Sequence, residues 1–327
     1  MRLKKNKILT KIATPLCVAI ILVILLPGCM HDSLEECHGI RVSYRYFRDG
    51  AGNNLLGNYI RTTEVFIFDY DGKLLPDYPI NGLPSELELP IGNYTIVVWG
   101  NRAASIPGGN MSKSGMLLKT KDGETEIKNA GDRLYYGYRS FSVGENGMTH
   151  INVDMVHAHA VMSLTIRWKS NPPENTGDFY LSLQEAPPAS SFLPGTISKG
   201  LKWDVYSPGT DTYPQADLSS VSYFPKAIDN MTGPVYRQDT HINVDKNVKA
   251  TFITFRYSNT SPLILSLYGG GRLLMKEIAL ERFFRESGIN LENNTRQEFD
   301  LDVLIDGDKV EVSLAGENDW DEGGVVF

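Results

Sequence analysis

Apolar and polar residues alternate with a period of two through much of this chain, and the longer helical spacing is rare. Ile40, Val42, Tyr44 and Tyr46 alternate with Arg41, Ser43 and Arg45, which predicts a half-buried strand. A loop rich in Gly and Asn, residues 49–58, follows it. Residues 63–70 (Thr-Glu-Val-Phe-Ile-Phe-Asp-Tyr) are almost continuously apolar and β-branched or aromatic, as expected of a central strand covered on both faces. Asp71-Gly72 then supplies the positive φ angles of a tight hairpin, and Lys73-Leu74-Leu75 begins the return strand. Leu83, Leu87 and Leu89 lead into Pro90-Ile91-Gly92-Asn93-Tyr94. The strand Thr95–Trp99 comes next, the wiring of an antiparallel sandwich.

The second half repeats the pattern. His150–Val156 and Val161–Trp168 both alternate like strands, and the chain passes between them from a first domain, residues 40–150, to a second, residues 151–327. Asn171-Pro172-Pro173-Glu174-Asn175 breaks the ladder, because prolines cannot donate to it. Phe179–Leu183 is a strand. Residues 185–217, with Pro187, Pro188, Pro194, Pro208 and Pro214, form a long irregular stretch, which is either a surface that meets another subunit or a variable surface loop without a role. Thr251–Tyr257, Leu263–Tyr268 and Arg272–Ile278 are separated by turn residues and predict a meander. A short helix is expected at Ala279–Glu286, with Gly288 as its C-cap. Phe299–Ile305, the Asp306-Gly307 turn and Val310–Leu314 predict a final hairpin, and the chain closes on Val325-Val326-Phe327. The class is all-β, in two sandwich domains.

The N-terminus breaks this pattern. Arg2, Lys4, Lys5, Lys7 and Lys11 precede an uncharged apolar run from Ile12 to Leu26, about 15 residues and too short to span a bilayer comfortably. The run stops at Leu26-Pro27-Gly28-Cys29, which has the form of a bacterial lipobox, with Pro27 as its one unusual residue. Residues 1–28 are thus expected to be a lipoprotein signal peptide. Cys29 would begin the mature chain and carry the lipid, and residues 29–39 would be a short acidic tether. Several acyl (palmitate-type) chains on one N-terminus, at about 0.8 kcal/mol per buried methylene, hold a protein on a membrane without a spanning helix.

Charge and cysteine content change when those residues are removed. The signal takes five of the 32 basic residues and no acid, leaving 27 against 39 and a net charge of −12. Such a chain is poorly suited to nucleic acid, whose phosphates demand Lys and Arg. Of the three cysteines, Cys17 leaves with the signal and Cys29 is lipidated. Cys37 alone remains, so no intramolecular disulfide forms.

The candidate chemistry is sparse. Asp69-x-Asp71-Gly72 has the start of a calcium loop, but its glycine comes too early and no acid closes the loop at the twelfth position; a hairpin is expected instead. His157 and His159, two apart, share a strand face that suits zinc, yet no third ligand stands at a recognisable spacing. Solvent-facing polar positions at the domain junction are the expected reading, with no metal. No nucleophile elbow, paired His-Glu zinc motif or phosphate-cradling glycine loop is present, so neither catalytic residues nor a cofactor are expected.

Taken together, lipidated Cys29, Cys37, the strand Val42–Phe47, the hairpin of residues 65–72 and the Pro90-x-Gly92-x-Tyr94 turn ending in Trp99-Gly100-Asn101 resemble the FimB-like family of minor fimbrial anchoring lipoproteins, of the type V pili of Bacteroidia. The later segment from Phe299 to Trp320 resembles it more loosely. The resemblance implies two tandem transthyretin-like antiparallel β-sandwich domains and a surface-exposed outer-membrane lipid anchor. It also implies a role in attaching a fimbrium to the cell and limiting its length, with pilin subunits as partners through strand complementation. In such pili a stalk subunit must be freed from its lipidated N-terminal segment, whereas an anchor keeps it, so Arg41, Arg45 and Arg48 are expected to stay uncut. The alternative is a tip adhesin or surface glycan-binding lipoprotein, with Trp203, Tyr206 and Tyr213 as stacking platforms.

Overall fold

The computed structural model describes residues 38–315, apart from 48–51, 104, 110–115, 121–125, 129–130, 146, 175–176, 195–224, 230–233, 293 and 295, together with residues 325–326. Its first half contains β1 (Gly39–Tyr46), the single helical turn α1 (Leu56–Tyr59), β2 (Thr63–Phe68), β3 (Ile80–Asn81), β4 (Glu86–Glu88), β5 (Gly92–Gly100), β6 (Ser105–Gly109), β7 (Met116–Thr120), β8 (Glu126–Lys128), β9 (Tyr135–Val143) and β10 (Met148–His157). The second half contains β11 (His159–Trp168), β12 (Phe179–Gln184), β13 (Ala189–Pro194), β14 (Pro225–Ile228), β15 (Val235–Thr240), β16 (Asn247–Phe255), β17 (Ile264–Gly269), β18 (Arg272–Leu273), β19 (Ile278–Ala279), helix α2 (Leu280–Glu286), β20 (Gln297–Asp306), β21 (Lys309–Leu314) and β22 (Val325–Val326).

The first sandwich is one sheet folded over on itself, in the order β3-β2-β5-β9-β10-β1-β4. Strand β10 makes the fold. Met155–His157 pair with β9, whereas Met148–Met155 run parallel to β1, so one strand serves both layers. Gly137 permits this crossing: a Cβ there would lie 2.6 Å from both Met155 Sδ and Val153 Cγ1. Ile40, Val42, Ile67, Ile96, Val98, Phe141 and Val153 fill the space between the layers. The near-continuous hydrophobicity of β2 is explained by its two faces. Val65 and Ile67 enter this core, while Phe66 and Phe68 point outward into another.

The second sandwich stacks β16-β11-β20-β21-β22 on β18-β17-β12-β15-β8, with β19 also paired to β17. Met162, Leu164, Leu181, Leu183, Phe252, Leu265, Leu301 and Val303 fill its core, and α2 closes one side with Leu280, Phe283 and Phe284. The helix ends as expected. Gly288 has φ +68°, Ile289 N–H donates to Phe284 C=O and Gly288 N–H to Arg285 C=O, the Schellman pair. The sandwiches share a design in which the first strand of each runs parallel to a later one, β1 to β10 and β11 to β20.

A third layer binds the two halves. Strands β6 and β7, from before residue 150, form a sheet with β13 and β14, from after it, in the order β14-β13-β7-β6. Leu118 and Phe192 from this sheet pack on Phe66, Phe68, Val97, Trp99 and Tyr136 from the outer face of β2-β5-β9. Strand β8 likewise crosses to pair in parallel with β15. The chain leaves the first sheet at His157 and enters the second at His159, passing through residue 150 without a break.

Three expectations require correction. The loop at 49–58 closes in a helical turn, α1. The stretch 185–217 is not irregular throughout, because β13 lies within it, paired to β7 and β14. The meander forms only in its later part: β17 pairs with β18 across the glycine turn, but β16 pairs with β11 while β17 pairs with β12, so residues 256–263 carry the chain from one sheet to the other across the core. Alternation reports that a strand has a buried face; it does not report which sheet completes its ladder.

Candidate functional site at the first strand and the domain junction

Strand β1 lies inside its sheet, parallel to β10 over eight residue pairs from Gly39↔Met148 to Tyr46↔Met155 and antiparallel to β4 on its other side. Ile40 and Tyr46 are buried in the core, as is Val42. Its start requires glycine, because a Cβ on Gly39 would lie 2.1 Å from Leu87 C=O. Its two arginines are both engaged. Arg41 Nε donates to Glu86 Oε1 at 2.7 Å, and Arg45 makes a two-pronged pair with Asp154, 2.7 and 2.9 Å. Its exit is fastened by Asn54, whose Oδ1 accepts from Tyr46 N–H at 2.9 Å and whose Nδ2 donates to Tyr44 C=O at 3.0 Å.

Tyr46 carries β1 into the domain junction. Its hydroxyl shares a 2.6 Å hydrogen bond with His157 Nε2, and its ring meets Tyr59 and Tyr135 edge-on. His157 stacks on His159, centroids 4.8 Å apart at 20°. The pair thus shares a face, as expected, but it faces the interior: His157 and His159 are 5% and 1% exposed, which corrects the solvent-facing reading. His159 Nδ1–H donates to Leu134 C=O at 2.6 Å, which leaves Nε2 as a buried acceptor with no partner among the described residues. Burial lowers the His159 pKa to about 4, the Leu134 carbonyl opposing this and Arg133 and Arg256 adding to it.

Arg256 lies beneath the same junction, 3% exposed, and burial lowers its pKa to about 9. Its guanidinium donates to the carbonyls of His157, at 3.4 Å, and Asn294. Gln297 completes the polar floor, donating to Tyr257 and Leu291 carbonyls at 2.9 and 2.6 Å and accepting from Tyr257 N–H at 2.6 Å. Arg256 and Gln297 carry no motif, and only the topology brings them to the histidines.

Among the described residues no group of three or more His, Cys, Asp or Glu is placed to hold a metal ion, and no helix is long and apolar enough to cross a membrane. The Asp69–Gly72 segment is the expected hairpin: Gly72 has φ +78°, and Asp69 Oδ1 accepts from Lys73 N–H at 2.8 Å. Cys29, Cys37, Arg48, Trp203, Tyr206 and Tyr213 lie outside the described residues.

Two β-sandwiches joined through a shared sheet define the class, an all-β protein. The chain belongs to the family of fimbrillin-A associated anchor proteins Mfa1 and Mfa2, whose model matches residues 34–322. The family resemblance read from the sequence is thereby borne out. The fold is similar to that of the fimbrial anchor protein Mfa2 from Porphyromonas gingivalis, at 17% identity and TM-score 0.57, covering 89% of this chain and 95% of that one. A candidate polysaccharide-binding protein from Bacteroides thetaiotaomicron (14% identity, TM-score 0.58, coverage 86% and 96%) and a candidate adhesin from Bacteroides ovatus (11%, 0.58, 85% and 94%) share it. No curated protein matches the chain by sequence. Membership gives the chain a fimbrial role at the cell surface, in association with fimbrial subunits, within a family of structural proteins and not of enzymes.

Proposed function

We propose that this protein is an outer-membrane lipoprotein that anchors a fimbrium and limits its length. Residues 1–28 are its signal peptide, Cys29 its lipid attachment and residues 29–39 its tether, ahead of the two sandwich domains. The observation that carries the reading is the seating of β1. It fills the position between β10 and β4 with its own side chains, and Arg41 and Arg45 are held in ladder positions where a protease finds no extended loop. A chain that keeps this strand keeps its connection to the lipid. The pilin subunit is received at a sheet edge by strand complementation, main-chain hydrogen bonds giving affinity and alternate side-chain pockets giving register.

The test isolates the protein from outer membranes in mild detergent and identifies by mass spectrometry what stays bound in unheated SDS, for the wild type and Cys29→Ala. A co-purifying pilin ladder, released into the medium by the substitution, is the expected result. Recovery of the protein alone, with fimbriae unaffected by loss of the lipid, sinks the anchor and leaves the glycan-binding reading.

A further inference from the structure

The strand register sorts the turns of the first sandwich onto two ends. Gly39 opens β1 opposite Met148 and Glu88, Gly92 of β5 lies opposite Val143 of β9, and Phe68 of β2 lies opposite Thr95 of β5. The β2 hairpin turn, the Pro90–Gly92 turn and the connection from β9 to β10 therefore all lie at the end where β1 begins. His157, His159 and the second sandwich lie at the other.

That end carries two of the five large apolar side chains that stand exposed among the described residues. Tyr70, at the tip of the β2 hairpin, is 77% exposed, and Ile91, in the neighbouring turn, is 53% exposed. Val244, 98% exposed, lies in the β15–β16 turn at the far end of the second sandwich, since β11 runs from the junction at His159 to Arg167 opposite Asn247. Isolated exposed apolar residues need no explanation. These two differ because of what is attached beside them.

We propose that the Tyr70–Ile91 end of the first sandwich rests on the bilayer, its two side chains seated at the headgroup–acyl boundary. The proposal rests on the lipid at Cys29. Gly39 follows Cys29 by ten residues, a reach of about 35 Å at full extension, so the lipid holds this end, and not the distal one, near the surface. A tethered contact needs little affinity of its own, because attachment supplies a high effective concentration. Tyrosine, with an apolar ring and a polar tip, suits that boundary. The flanking charges choose the lipid. Asp69 and Asp71 bracket Tyr70, Glu88 ends β4 and Glu145 lies in the β9–β10 connection; against them stand Lys73, the imidazoles of His38 and His150, and Arg41, which is already paired to Glu86. This balance favours a zwitterionic surface over an anionic one.

The test uses the full lipidated protein with Cys37→Ser. Single cysteines at Tyr70→Cys, Ile91→Cys or Val244→Cys are labelled with an environment-sensitive fluorophore, and the protein is reconstituted into phosphatidylethanolamine–phosphatidylcholine vesicles. We expect a blue shift, quenched by brominated lipid, at 70 and 91 but not at 244, and a smaller one when phosphatidylglycerol is added. Vesicle-bound protein that is silent at 70 and 91 overturns the proposal while leaving the anchor intact. An equal response at all three positions also overturns it, since the molecule would then lie flat. Protein that fails to float with vesicles removes both the proposal and the lipid reading beneath it.

Discussion

At the residue scale, single side chains set the limits of the first sandwich. Gly39 sits where any Cβ collides with a main-chain carbonyl, which cannot yield as a flexible side chain does. Gly39→Ala is expected to cost more than about 2 kcal/mol in urea unfolding, while Gly52→Ala, in open space, should stay within about 0.5 kcal/mol. His159 predicts a pH dependence whose sign follows from its depressed pKa. Between about 6.5 and about 4 the unfolded chain binds the proton and the folded one does not, so its contribution is present above pH 6.5 and lost as pH falls toward 4. The loss amounts to about 3 kcal/mol, and the unfolding midpoint of His159→Asn should vary less over that range than the wild type's. The sequence displays the histidine pair but not its burial, because Tyr46, which meets His157, is 111 residues away along the chain.

At the element scale, what could be read early was local. The hairpins at Asp71-Gly72 and Asp306-Gly307 and the helix ending at Gly288 are written in adjacent residues, and they form as expected. Sheet membership is not local. Strand β16 alternates as well as β17 does, and only the two inner faces of one core assign them to opposite sheets. Strands β6–β8 are short, and β6 includes Pro107 and two glycines, so their ladder depends on partners supplied from the other half. Helix α2 gives a clean check, since Gly288 adopts a left-handed conformation that a Cβ opposes: Gly288→Ala should cost about 1 kcal/mol by chemical denaturation. Strand β1 gives another. With its arginines held within a paired ladder, an arginine-specific protease should leave the bonds after Arg41 and Arg45 uncut in the folded protein. Appearance of a new N-terminus at Val42 or Tyr46 under native conditions would falsify the retention of this strand.

At the scale of the whole molecule, the two sandwiches are bound by more than the single residue Ala158 that joins β10 to β11. The sheet β14-β13-β7-β6 draws strands from both halves, and Phe192 of β13 is the centre of its attachment. The ring is fully buried, edge-on to Phe66 at 4.8 Å and to Phe68 at 6.2 Å, and tilted against Trp99 at 5.7 Å. Neither sandwich can unfold without exposing that shared face. The wild type should therefore melt in one calorimetric transition whose van't Hoff and calorimetric enthalpies agree. Phe192→Ala removes about 3–5 kcal/mol at this contact alone, leaving the separate cores around Val98 and Leu301 intact. Its expected outcome is not a uniform loss of stability but a split into two transitions, one for each sandwich. A wild type that already melts in two steps would show that the shared sheet does not couple the halves; a variant that still melts in one would show that Phe192 is not what couples them. Coupling of this kind suits the anchoring role proposed above, because tension applied to β1 would then be carried by both cores together.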